Sequence, residues 1–299
     1  MEPVPSLDLG LLHSLPSLAL RARSVMDGYL TGLHRSPKKG FSVEFADYRA
    51  YQPGDDLRRV DWRLYGRTDR LYLKEFEQET QLRVFLVLDT SASMAYASRP
   101  GVWLRKIDFA RTLLAALGLL ALRQGDAFGM ATIGDDLGEF LGPKASQSHW
   151  RSLVGRMDAL QCGGPTGLAK GLQALAELLP RRSLVIIASD FYEESEALNA
   201  ALRRLRFDRH ELIGLHVLDP VEVTLGEDWS GTFVDAETGE RRAVDTAAVR
   251  RGYLERFQKF MEGTQAEFLN QAGDYALQRT DGNPVAALGT YLARRERIH

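Results

Sequence analysis

Asp89, Ser91 and Ser93 put three oxygen-bearing side chains at every second position of the stretch Leu82 to Met94. Directly before them runs Val84 to Leu88, a short apolar segment of Val, Phe and Leu. Such a run fits a fully buried strand of a parallel sheet better than a helix. The three side chains then sit on a tight turn just past the carboxyl end of the strand, where open α/β sheets place their ligand sites. A carboxylate with two hydroxyls is a hard-oxygen donor set, suited to magnesium, manganese or calcium rather than zinc. The plainer alternative is a strand-to-helix turn in which Asp89 or Ser91 caps the next helix.

Asp190 repeats the situation: it follows Leu184 to Ala188 and Ser189, another continuously apolar run closed by a carboxylate. Between the two lies the loop Cys162-Gly163-Gly164-Pro165-Thr166-Gly167, which leads into a helical pattern. With strand order 3-2-1-4-5-6, the first and fourth strands are neighbours at the topological switch point, and Asp89 shares a crevice with Asp190. The loop glycines permit close backbone approach, and Thr166 adds a hydroxyl. Asp89, Ser91, Ser93, Thr166 and Asp190 then make a set of oxygen donors that waters complete to a six-coordinate magnesium-type site.

The elements that must position these residues are legible from Gln81 onward. Strands are expected at 83–88, 127–133, 138–141, 184–188, 212–217 and 275–278. Helices are expected at 103–124, 146–160, 168–179, 194–206, 246–271 and 285–294. Strands alternating with helices of this length mean an α/β fold with a doubly wound, mostly parallel six-stranded sheet. The 138–141 strand follows the Gly134-Asp135-Asp136 turn as a hairpin, and a further inserted β-hairpin is expected near 231–245. Upstream, Ser14 to Leu30 reads as one helix. Residues 31–76 form a turn-rich, aromatic stretch of mixed charge, in which Leu71-Tyr72-Leu73 reads as strand or extended arm. The expected organisation is an N-terminal helix plus this segment over 1–80, packed on a main domain over 81–299.

Composition narrows the function classes. The chain has 299 residues, 44% hydrophobic and 26% charged, with net charge −2. That is an ordinary globular balance and gives no global argument for nucleic acid or acidic membranes. Arg21, Arg23, Arg35, Lys38 and Lys39 form a basic cluster, but Asp55, Asp56, Asp61 and Asp69 dilute it, so nucleic-acid binding is not expected. Cys162 is the single cysteine. It excludes an internal disulfide and a multi-cysteine zinc site, and it fits a reducing compartment. No apolar run of about eighteen residues and no signal-peptide pattern occur, so the expectation is a cytoplasmic protein without a transmembrane segment.

Enzyme motifs are weak. No G-x-S-x-G elbow, H-E-x-x-H or Walker A is present. A phosphatase built on a strand-end Asp needs a second Asp two residues later as acid/base, and that position is Ser91. Magnesium-dependent phosphotransfer or hydrolysis by Asp89 and Asp190 is the alternative to a non-catalytic role.

The set Asp89-x-Ser91-x-Ser93, Thr166 and Asp190 resembles the metal-ion-dependent adhesion site of von Willebrand factor A-like domains. Pro165 directly before Thr166 departs from that pattern. A second block resembles the signature of the bacterial domain of unknown function 58 family: His34-Arg35-Ser36-Pro37, Gly40, Glu44-Phe45, Arg49, Tyr51, Pro53-Gly54-Asp55-Asp56, Arg58 and Val60-Asp61-Trp62. Members of that family join such a segment to an A-like domain. The resemblance implies a metal, Mg2+ or else Mn2+ or Ca2+, with one coordination position left for a partner's Asp or Glu. It also implies a non-catalytic protein-interaction role alongside a MoxR-type AAA+ ATPase.

Overall fold

The computed structural model describes residues 9–35, 47–51, 60, 62–75, 82–226, 230–235 and 239–298. The chain divides into two compact units, residues 1–32 with 82–299, and residues 33–81. The larger unit begins with α1 (Leu9–Ser14) and α2 (Leu18–Arg35). α2 covers most of the helix expected over 14–30 but starts at Leu18, and α1 is an added helix ahead of it; Pro16, which lacks an N–H and disfavours helical geometry in the residue before it, separates the two. Leu12 of α1 and Leu18, Ala22, Val25 and Met26 of α2 are fully buried in the core of the larger unit. The N-terminal helix therefore groups with residues 82–299. Its apolar stripe at 18, 22, 25 and 26 demanded a partner surface, and the core cluster it shares with buried residues of α4, α5 and α10 supplies it.

In the smaller unit, β1 (Asp47–Ala50) pairs antiparallel with β2 (Tyr72–Glu75), Ala50 facing Tyr72. Of Leu71-Tyr72-Leu73, read as strand or extended arm, Tyr72 and Leu73 lie in β2. Between β1 and β2 lies α3 (Trp62–Thr68), which the turn-rich composition concealed. Trp62 and Tyr65 meet edge to face at 6.2 Å within it. Pro37, Gly40, Glu44, Phe45, the Pro53 to Asp56 turn, Arg58 and Asp61 lie outside the described residues.

The main unit continues through β3 (Arg83–Asp89), a short 3-10 turn (Ala92–Ala95) and α4 (Lys106–Arg123). Then follow β4 (Ala127–Ile133), β5 (Leu137–Lys144), α5 (Gln147–Ala159), α6 (Leu168–Leu178), β6 (Leu184–Ser189), α7 (Ser195–Phe207) and β7 (Glu211–Leu218). The chain ends through α8 (Pro220–Thr224), the hairpin β8 (Ser230–Val234) with β9 (Arg241–Asp245), α9 (Thr246–Asn270), β10 (Asp274–Arg279) and α10 (Val285–Ile298). The large sheet has order β10-β7-β6-β3-β4-β5, with only β5 antiparallel. In strand-by-strand terms this is 3-2-1-4-5-6, and it makes β3 and β6 neighbours, Leu88 standing opposite Ala188.

Period-two alternation sorts the central strands between two cores. Val84, Leu86 and Leu88 face one layer with α4, α5, α10 and α2; Phe85 and Val87 face the other with α6, α7 and Phe268 of α9. Because both faces are covered, β3 and β6 read as unbroken apolar runs. α4 is sandwiched between the sheet and outer helices, so all but its last two residues and Asp108 are buried. At the opposite end of β3 from its terminal Asp89, the buried Asp126 accepts from the Leu82 N–H (3.2 Å) and from Tyr291 Oη of α10 (2.9 Å), tying the last helix to the start of the sheet. Among the described residues, no helix is long and apolar enough to cross a membrane.

Candidate functional site

Asp89 closes β3 as a carboxylate 1% exposed. Its Oδ1 accepts from the Ser91 N–H at 2.8 Å, which turns the chain sharply, and its Oδ2 accepts from Ser189 Oγ of the neighbouring β6 at 2.5 Å. The plainer capping role expected for Ser91 is not seen: it occupies the N-cap of the 3-10 turn, but its side chain makes no cap bond. Its buried hydroxyl instead lies 3.2 Å from that of the half-buried Ser93.

The glycine loop is clamped against this turn. The Gly163 N–H donates to the Thr90 carbonyl and the Ala92 N–H to the Gly164 carbonyl, both at 3.0 Å. Gly164 takes φ +74°, a left-handed conformation that favours glycine. Gly167 donates to the Gly134 carbonyl, and a Cβ on it would run into the carbonyl of Asp135. Thr166, half-buried, stands between these two clamps at the entry to α6.

Asp190, fully buried, follows β6 directly. The next residue, Phe191, adopts φ +53° although it is a bulky aromatic, a conformation that costs on the order of 1–3 kcal/mol. It is held there by its N–H on Ser189 Oγ (2.8 Å) and by edge-on packing against His216 and Phe268. Burial drives the His216 imidazole down to about 4, so it stays neutral near Asp190. Cys162, beside the loop, is pushed up to about 11 by burial, which keeps its thiol protonated and unreactive.

Two further residues of the crevice went unread in the sequence. Lys106, the first residue of α4, has no exposed surface, and its Nζ lies 2.7 Å from Asp190 Oδ2 and 2.6 Å from Glu222 Oε1 of α8. The signal was present: Lys106 shares one helical stripe with Ala110, Leu113 and Leu117, and a lysine on an apolar stripe needs a buried acid. Burial pulls the Lys106 pKa down, but Asp190 and Glu222 outweigh it and leave the ammonium above its ordinary value. Glu222 had a plainer reading as the third helical residue of the Asp219 capping box, a role it also fills, its Oε2 accepting from the Asp219 N–H at 2.8 Å. Burial raises the Glu222 carboxyl and Lys106 works against this; Tyr192 Oη also donates to Oε1 at 3.1 Å.

Asp89 carries the electrostatic mark of the site. Burial, and then the charge of Asp190, raise its pKa from the ordinary carboxylate value to about 7, against the hydrogen bonds from Ser189 and Ser91. Asp89, Asp190 and Glu222 line the crevice, and the Lys106 ammonium pairs with two of these three carboxylates. Carboxylate and hydroxyl oxygens are the preferred ligands of a hard divalent cation. Among the described residues no group of three or more His, Cys, Asp or Glu converges as a metal cage, so a cation here would depend on the serine and threonine hydroxyls. The donor set fits such an ion.

A pH dependence follows. Asp89 binds its proton more tightly folded than unfolded, so its contribution to stability is fully present below pH 4. It is lost as pH rises toward about 7. Metal-free protein should lose on the order of 3 kcal/mol over that window, as far as Asp89 alone decides it. Denaturant melts at pH 4.5, 6 and 8 measure this, and Asp89→Asn should flatten the trend. An unchanged slope in Asp89→Asn would assign the dependence elsewhere.

The mostly parallel, six-stranded sheet with helices on both faces defines the fold class as α/β. The chain belongs to the family described as protein of unknown function DUF58, which matches residues 47–262. It is 28% identical over 295 residues to the uncharacterized protein Rv1480 of Mycobacterium tuberculosis (strain ATCC 25618 / H37Rv), covering 97% of this chain and 91% of that one. It is 27% identical over 117 residues to the uncharacterized protein YeaD of Bacillus subtilis (strain 168), covering 39% and 26%. Among solved structures it is similar to the conserved hypothetical protein BatB from Bacteroides thetaiotaomicron, at 15% identity and TM-score 0.44 over 72% of this chain and 99% of that one. It is also similar to the SpRpn10 VWA domain, at 13% identity and TM-score 0.42 over 70% and 94%.

Proposed function

We propose that this chain is a non-catalytic, divalent-metal-dependent protein-interaction module. The observation that carries the reading is the convergence of Asp89, the Ser91–Ser93 pair and Asp190 with the Thr166 loop at the ends of adjacent strands. Three carboxylates stand there against one ammonium, that of Lys106. Magnesium, or manganese or calcium, would be held by Asp89, Ser91, Ser93, Thr166 and Asp190, and would supply a Lewis-acidic anchor for a carboxylate. The chain's own residues orient that anchor: Ser189 and the Ser91 N–H fix Asp89, and the strained Phe191 turn fixes Asp190. The partner would present an exposed Asp or Glu. The family resemblance nominates a MoxR-type AAA+ ATPase, in assembly or maturation of protein complexes in the cytoplasm.

One carboxylate contact does not make a stable complex, since specific interfaces bury on the order of 1,200–2,000 Å². The aromatic, mixed-charge residues 41–76 are the first candidate for added surface if they lie beside the strand ends; at the opposite end their role would be structural. The phosphotransfer alternative lacks an acid/base two residues after Asp89, and the one nearby ammonium, Lys106, is engaged by two carboxylates.

Surface-immobilised full-length protein should capture a purified MoxR-type ATPase of the same genome in magnesium. Chelator and Asp190→Ala should each weaken the capture and should not add, because both act on one site. Binding at full strength under both treatments would remove the metal from the contact. Hydrolysis of a phosphate ester or nucleotide that vanishes in Asp89→Ala would instead establish the enzyme.

A further inference from the structure

We propose that Lys106 is the resident cation of this crevice: its ammonium holds Asp190 in the metal-free protein, and a divalent cation enters by taking Asp190 from Lys106, which stays on Glu222. The inference rests on the reading of the crevice as a cation site and goes beyond it to how the site is kept when empty.

The two acceptors of Lys106 are not equivalent. Glu222 is anchored independently of the lysine. Its Oε2 accepts from the Asp219 N–H at 2.8 Å, its Oε1 from Tyr192 Oη at 3.1 Å, and its backbone carbonyl from Tyr253 Oη at 2.6 Å. Among the described residues, Asp190 is held on its other oxygen by the Tyr192 N–H, at a long 3.4 Å. The ammonium also lies 4.9 Å from the centre of the Tyr192 ring, a further attraction that does not involve Asp190. Lys106 therefore has a built place to remain when Asp190 turns to another cation.

The arrangement answers a physical problem. Neighbouring buried carboxylates without a cation repel and are poorly solvated. The Lys106 ammonium, 2.7 Å from Asp190 Oδ2, gives that carboxylate a partner and a fixed place. The cost is competition: the ammonium and an incoming metal are like charges acting on one carboxylate, so Lys106 lowers metal affinity and sets the concentration at which the site fills.

The test is calorimetric titration of Mn2+ or Mg2+ into the full chain, comparing wild type with Lys106→Met/Glu222→Gln. The double variant removes one positive and one negative charge, so the net charge of the cluster is unchanged and no orphan carboxylate remains at 222. We expect it to bind metal about tenfold tighter than wild type or better. Equal or weaker binding by a folded double variant, with wild type binding, overturns the role of Lys106 and leaves the metal reading standing. Binding by the variant with a silent wild type supports Lys106 as the resident cation and overturns metal dependence of the native protein. Silence in both overturns both. A readout on wild type avoids any folding defect: the Lys106 ammonium resonance, in protein labelled with 15N-lysine, should move when Mg2+ saturates the site. An unmoved resonance at saturation overturns the exchange.

Discussion

Asp89→Ala abolishes the rise in melting temperature that magnesium or manganese should give the intact protein. A ligand that binds only the folded state stabilises it by about 2.7 kcal/mol at a concentration a hundredfold above its dissociation constant. Asp89 is the one proposed ligand whose burial and repulsion are uncompensated, so the response to metal should vanish with its charge. The metal-free baseline moves in a pH-dependent way. Removing the carboxylate strands the Ser91 N–H and the Ser189 hydroxyl, a loss of about 1–3 kcal/mol. Above pH 7 the relief of repulsion with Asp190 offsets that loss. At pH 5, where Asp89 is already protonated in the native state, only the loss remains and the variant is the less stable protein. Thermal melts with and without metal at pH 5 and pH 8 read all four cases. A metal response as large in Asp89→Ala as in wild type would sink the assignment.

Lys106→Met is expected to be the most damaging single change in metal-free buffer. Breaking a buried ion pair by removing one partner leaves an unpaired buried charge and costs roughly 3–5 kcal/mol. Here two acids lose their partner, one of them fully buried. Methionine preserves the apolar stem, so the change isolates the ammonium from its packing. The midpoint of chemical denaturation should fall accordingly. Adding Glu222→Gln should recover part of the loss, since one of the two orphaned charges is then gone and the effects of contacting residues do not add. A cost below about 1 kcal/mol for Lys106→Met would show that the pairs contribute little to folding.

The sequence by itself determined the sheet and which polar residues close its central strands. The apolar runs at 84–88 and 184–188 are continuous because both faces of those strands are covered, and a continuous run ended by a carboxylate is visible without coordinates. The alternation of strand and helix, with right-handed crossovers, leaves few strand orders, and the order expected is the one found. Asp89, Ser91 and Ser93 were legible from spacing, and Asp190 from position.

Tertiary structure alone decided the rest. The partner of Lys106 lies 84 residues away in Asp190 and 116 away in Glu222, and no local period connects them. α4 starts at Lys106, three residues later than expected, and its placement over the ends of β6 and β7 selects those acids. The perturbed proton of Asp89 is likewise a property of burial and of a charge on the neighbouring strand. The N-terminal helix joined the main unit because a stripe of apolar residues specifies that a surface must be covered, while only the folded chain specifies by what.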